Sequence, residues 1–181
     1  MHHLILCLAL IFAAPALQAD PLTEARSPGT VLLMRHATAP GTGDPSAMRL
    51  GDCSTQRNLS EAGRQEARDI GARLRAARIT FAQVLASEWC RTTETATLMA
   101  VGPVTPFPPA NSFFDNREDA DRQTAQILAH LAALPATDRV LIVTHQVNIT
   151  ALTGIVPRSG EIVVTRRDGS SLTVLDRLPP D

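Results

Sequence analysis

The 181-residue sequence has no tyrosine and only six aromatic residues, five phenylalanines and Trp89, which leaves little for stacking on nucleobases. Neither sign of charge dominates: 17 Lys and Arg stand against 18 Asp and Glu, for a formal net charge of -1. The basic footprint of a nucleic-acid binder is therefore missing. No Gly-(x)4-Gly-Lys-Ser/Thr loop occurs, which argues against P-loop nucleotide chemistry. Cys53, Cys90, His36 and His145 could nominally hold a metal, but no Cys-x-x-Cys or His-(x)3-His pair is present and none is expected to be a ligand. Neither Cys53 nor Cys90 is followed by the Cys-(x)5-Arg spacing that would make it a phosphate-attacking thiolate.

One long apolar run is present, Leu4 to Ala14 in "MHHLILCLALIFAAPALQA". Pro15 interrupts it well short of the roughly 20 residues that span a bilayer, and small residues follow to Ala19. Residues 1–19 therefore read as a secretory signal peptide, with export, periplasmic residence and no membrane association after its removal as the expectation. Residues 20–181, in a chain that is 44% hydrophobic, suit one domain. Loss of Cys7 with the signal would leave Cys53 and Cys90, which have only one possible pairing in an oxidising compartment. A bridge between them would contribute about 4 kcal/mol in the chain-entropy model; two buried thiols are the alternative.

After a polar lead from Asp20 to Gly29, strands and helices alternate, which predicts an α/β unit. Val31 to Met34 reads as a strand covered on both faces. Ser60 is an N-cap for a helix to about Arg78, with Ala67, Ile70, Gly71, Leu74 and Ala77 at helical spacing. A short strand, Phe81 to Ala86, precedes a helix that Ser87 is expected to cap and that stops near Gly102-Pro103. "PVTPFPPANSFFDN" reads as a long irregular loop. A helix from about Asp119 to Leu134, a strand Val140 to Val143, a short helix from Gln146 to about Leu152 and a hairpin turning at Asp168-Gly169 complete the chain. His130 falls opposite the apolar helix face and reads as solvated surface.

Two apolar strands end in a histidine, at His36 and His145. In open α/β sheets ligands bind beyond the carboxyl ends of the strands, so both histidines should open into one crevice. Arg91 lies in the first turn of the helix that follows another strand. Arg35, Arg91 and a potentially protonated His145 could then surround an anion within reach of His36. Two guanidinium forks suit the oxygens of a phosphoryl group, and a neutral imidazole with one nitrogen fixed as a donor can attack phosphorus.

"LLMRHAT", "SEWCRTTETA" and "VLIVTHQVNITAL" resemble the three signatures of the histidine phosphatase superfamily, the phosphoglycerate-mutase-like group: strand-Arg-His-Gly, Ser-(x)3-Arg-(x)3-Thr-Ala and strand-Thr-His. "RNLSEAGRQEARDIGARL" resembles the opening Leu-(Ser/Thr)-x-x-Gly-x-x-Gln-Ala of the family's helix. The resemblance runs from about Val31 to Leu152. It implies a single-domain three-layer αβα sandwich with a mostly parallel central sheet. It further implies that His36 forms a phosphohistidine, that Arg35 and Arg91 bind the phosphate, that His145 completes the pocket, and that neither metal nor cofactor is needed. Ala37 stands where the family has glycine, and the usual glutamine is displaced one place, to Gln65.

Many family members place a carboxylic acid in the loop after the third strand. Asp115, Glu118 and Asp119 are candidates here, and Asp115 is preferred because burial beside Phe113 and Phe114 could raise its pKa. The expected function is that of an exported phosphomonoesterase acting on a small phosphorylated substrate admitted between the loops Ala39 to Asn58 and Pro103 to Asp121. A non-catalytic phospho-ligand binding module and a phosphohistidine-protein phosphatase are the alternatives. Neither the natural substrate nor the oligomeric state is readable.

Overall fold

The computed structural model describes residues 21–180, so the expected signal peptide lies outside the described residues. Six strands form one sheet: β1 (Thr30–Arg35), β2 (Gln83–Ala86), β3 (Val104–Pro106), β4 (Val140–Thr144), β5 (Ile162–Asp168) and β6 (Ser171–Leu178). Their order across the sheet is β3-β2-β4-β1-β5-β6. The first four strands run parallel, and β5 and β6 add an antiparallel edge. Among the described residues, helices α1 (Pro21–Arg26), α2 (Glu61–Ala76), α3 (Cys90–Met99), α4 (Ala120–Ala132) and α5 (Gln146–Thr153) flank them. Among the described residues no helix is long and apolar enough to cross a membrane.

The period-two alternation of a strand divides the core in two. Leu32 and Met34 of β1 join Leu141 and Val143 of β4 in packing against Ile70 and Leu74 of α2 and Ala96 and Met99 of α3. Val31, Leu33, Val140 and Ile142 point to the other face, where Ile127 and Leu131 of α4 and Ile149 of α5 cover them. Both faces of β1 and β4 are dry, and their sequences are accordingly unbroken apolar runs. The result is the expected three-layer αβα sandwich.

Ser60 caps α2 as its sequence predicts, its hydroxyl accepting from the Gly63 amide at 3.0 Å. A side chain at Gly63 would collide with the Thr38 backbone, so this glycine lets α2 lie directly under the segment that leaves β1. Ala37, in the position where the family has glycine, needs no positive φ; it is buried, and its amide donates to Thr95 Oγ1 at 3.1 Å. Glu66, rather than Gln65, reaches back to this segment and accepts from the Thr38 amide at 2.7 Å.

Four expectations need correction. The polar lead contains a helix, α1, which begins on a proline, suited to the first helical turn. Ser87 does not cap α3: Trp89 holds the N-cap position without a side-chain bond, and Ser87 faces the histidine cluster instead. The proline-rich segment contributes an edge strand, β3, whose outer side tolerates the missing donor of Pro106. His130 is half-buried rather than solvated, with its Nε2 2.8 Å from Gln83 Oε1 and its ring against Phe107.

Cys53 and Cys90 form a disulfide with Cα atoms 5.7 Å apart. It ties the short 3-10 turn Cys53–Thr55 to the first residue of α3, and Gln56 Oε1 accepts the Cys90 amide beside it at 2.9 Å. Thermal melts with and without a reducing agent, or of Cys53→Ser, should show a loss of about 4 kcal/mol, which for a domain of this size is a fall in Tm on the order of 10 °C.

Candidate active site

Strand register assembles the site. Arg35 lies opposite Thr144 in the β1/β4 ladder, so the next residue of each strand, His36 and His145, emerge side by side with ring centroids 5.6 Å apart. Ala86 of β2 lies opposite Val143, which brings Ser87 and the start of α3 to the same edge. The three signatures thus meet at the carboxyl ends of β1, β2 and β4. A cavity of about 90 Å³ opens there, lined by Arg35, His36, Arg57, Arg91 and His145 together with Asp44 and the start of α5.

His36 is buried, and its Nδ1 lies 2.8 Å from the Ala37 carbonyl oxygen. A carbonyl oxygen only accepts, so Nδ1 carries the proton and Nε2 keeps its lone pair. Arg91 Nε donates toward that lone pair at 3.3 Å. Burial pushes the His36 pKa down to about 3; the Ala37 carbonyl opposes this, and the charges of Arg91, Arg57 and Arg35 reinforce it. His145 is also buried, with Nε2 2.8 Å from Ser87 Oγ and Nδ1 3.4 Å from Arg91 Nη2. Burial, then the neighbouring His36 and Arg91, lower its pKa well below the ordinary value. His145 is therefore neutral here, whereas the sequence reading allows a protonated form.

Three guanidinium groups line the cavity. Arg35 donates from Nη1 to the Pro157 carbonyl at 3.0 Å, while its buried Nε has no hydrogen-bond partner among the described residues. Burial and the nearby Arg91 lower the Arg35 pKa. Arg91 is buried, with its charge balanced by Asp44 at 2.6 Å. Arg57, which sequence reasoning did not assign, donates from Nε to Gly43 O and from Nη1 to Ala39 O. Its signal was its place immediately before "NLSEAG", the capped start of α2.

The carboxylate in the cavity is Asp44, not Asp115. Asp115 is exposed and is not among the side chains lining the cavity, and its neighbour Phe114 is 40% exposed, so the apolar surroundings expected to raise a carboxyl pKa are not there. Glu118 is exposed as well, and Asp119 pairs with Arg122. No signal in the sequence marks Asp44, a lone acid in the glycine-rich "GTGD" turn. Among the described residues no three His, Cys, Asp or Glu side chains are grouped to hold a metal ion.

Residues 31–106 match the histidine phosphatase superfamily, branch 1. No curated protein matches the sequence. Among solved structures, the protein histidine phosphatase SixA complexed with tungstate is 18% identical, with a TM-score of 0.59 over 83% of this chain and 97% of that one. The alpha-ribazole phosphatase of Shigella flexneri is 17% identical, with a TM-score of 0.58 over 81% and 94%. A phosphoserine phosphatase mutant of Entamoeba histolytica in complex with phosphoserine is 12% identical, with a TM-score of 0.59 over 82% and 95%. At these identities the likeness is one of fold, and it extends through β4 and His145, beyond the matched residues. Residues 31–106 thus carry the sequence pattern of the histidine phosphatase superfamily, branch 1, on a fold that the chain shares with solved phosphatases.

Proposed function

We propose that this protein is an exported, metal-independent phosphomonoesterase that works through a phosphohistidine on His36. The observation that carries the reading is the state of that ring: buried, neutral, its Nδ1 proton held by the Ala37 carbonyl, its Nε2 lone pair facing Arg91. In the first step Nε2 attacks phosphorus, a P–N bond forms, and the P–O bond to the leaving group breaks. In the second, water attacks phosphorus and the P–N bond breaks, returning the lone pair to Nε2 and releasing inorganic phosphate. Arg91, the Arg35 Nε that has no hydrogen-bond partner among the described residues, and Arg57 supply the positive charge that the transition state needs. The amides at the start of α5, where Gln146 and Val147 line the cavity, add to it. The disulfide supports residence in an oxidising compartment.

The leaving oxygen takes its proton from solvent in this scheme, since Asp44 is held ionised by Arg91. Substrates with good leaving groups are therefore favoured, and among them a phosphorylated histidine, one structural relative being named a protein histidine phosphatase. An aryl phosphate in the presence of EDTA is the first assay. Turnover in chelator is the expected result. Binding of phosphate without turnover would make the protein a binding module instead.

A further inference from the structure

Arg91 has five N–H donors, and all five are engaged. Its outer edge makes a short bidentate pair with one carboxylate: Nη1 to Asp44 Oδ1 at 2.6 Å and Nη2 to Asp44 Oδ2 at 2.9 Å. Nη1 also reaches the Arg57 carbonyl at 3.3 Å. The inner edge makes two longer contacts, Nε to His36 Nε2 at 3.3 Å and Nη2 to His145 Nδ1 at 3.4 Å. Asp44 is itself fixed from two further directions, accepting from the Trp89 indole at 3.0 Å and from the Arg57 amide at 3.3 Å. Trp89 in turn stands edge-on to the His145 ring.

We propose that Asp44 is a positioning residue: it holds the outer edge of Arg91 so that the Nε and Nη2 protons of the inner edge meet phosphoryl oxygens bound between His36 and His145. This rests on the phosphatase reading above. The distances choose between two roles for an acid in an anion site. A carboxylate that merely occupied the place of the substrate would take the edge facing the nucleophile. Asp44 takes the opposite edge, and the donors facing the histidines are the long, weak ones that an incoming phosphate oxygen replaces at little cost. A guanidinium held on one edge by a planar carboxylate has little rotational freedom, so its other edge is preset for the reacting phosphorus. Asp44 also cancels one of three guanidinium charges, so the pocket carries a net charge matched to a phosphoryl dianion and can release its product.

Asp44→Ala and Asp44→Asn should lower kcat by about 100-fold, as for a reacting group displaced by about an ångström, with a smaller change in KM. Calorimetry with inorganic phosphate should show weaker binding in both variants. Formate added to Asp44→Ala should restore part of kcat, because a small carboxylate can refill the outer edge; it should do nothing for His36→Ala. Retained kcat, or tighter phosphate binding with formate acting as an inhibitor, would overturn the proposal and make Asp44 a competitor for the site. If Asp44→Ala does not fold, Asp44→Asn keeps the shape and carries the same test. If the wild type binds phosphate without turning over ester, the phosphatase reading fails, while the calorimetric comparison still decides the role of Asp44.

Discussion

His36→Ala should lose at least about four orders of magnitude in aryl phosphate turnover, the scale on which nucleophile deletions act. It should still fold and bind phosphate, because the guanidinium groups that hold the anion remain. The size of the effect follows from having one nitrogen fit for attack. The partner of His36 Nδ1 is a carbonyl oxygen, which cannot donate, so Nε2 is always the lone-pair nitrogen. His145 has no such constraint. Its partner, the buried Ser87 hydroxyl, can donate or accept, and its other nitrogen faces Arg91. That suits a ring that accepts from Arg91 as here and, by changing tautomer, donates to a bound phosphoryl oxygen. Quenching in alkaline detergent after mixing with labelled substrate should accordingly trap a base-stable, acid-labile phosphoramidate in the wild type and none in His36→Ala. Label that persists in His36→Ala would move the nucleophile elsewhere and remove the basis of the proposed mechanism.

What was legible in the sequence was whatever depends on neighbours in the chain. The apolar run ending in Arg35-His36, the Ser60 cap and the hairpin at Asp168-Gly169 are local patterns, and each folds as its pattern predicts. The meeting of His36 with His145 followed from a general rule about strand ends, although only the register, Arg35 against Thr144, makes it side by side. Less legible were groups whose role comes from long-range partners. Ser87 reads as a cap by residue type, yet a histidine 58 positions away claims its hydroxyl. Asp44 and Arg57 lie in a loop without periodicity, and their importance comes from Arg91, 47 and 34 positions away. The neighbours Phe113 and Phe114 mark Asp115 by residue type, but only Phe113 is buried, and the exposed Asp115 is not among the side chains lining the cavity.

Acid should destabilise this protein well before its carboxylates titrate. His36 stays neutral in the folded state down to about pH 3, and burial beside cationic side chains holds His145 neutral well below its ordinary range too. In the unfolded chain both take a proton near pH 6.5. As pH falls below that value the unfolded state binds protons that the folded state refuses, so stability is full above about 6.5 and declines on the way down. Each such histidine removes about 1.4 kcal/mol per pH unit through that window. Asp44 and Glu161 also have lowered pKa values in the fold, but as carboxylates they add to the loss only below about pH 4. Urea unfolding at pH 7 and at pH 4.5 isolates the histidines. The wild type should lose several kcal/mol between the two, and His36→Asn should lose about half as much. Equal stability at both pH values would mean that the rings are not held neutral. The lone pair on Nε2 and the sensitivity to acid have the same origin: the burial that makes His36 a nucleophile also makes its protonation incompatible with the fold.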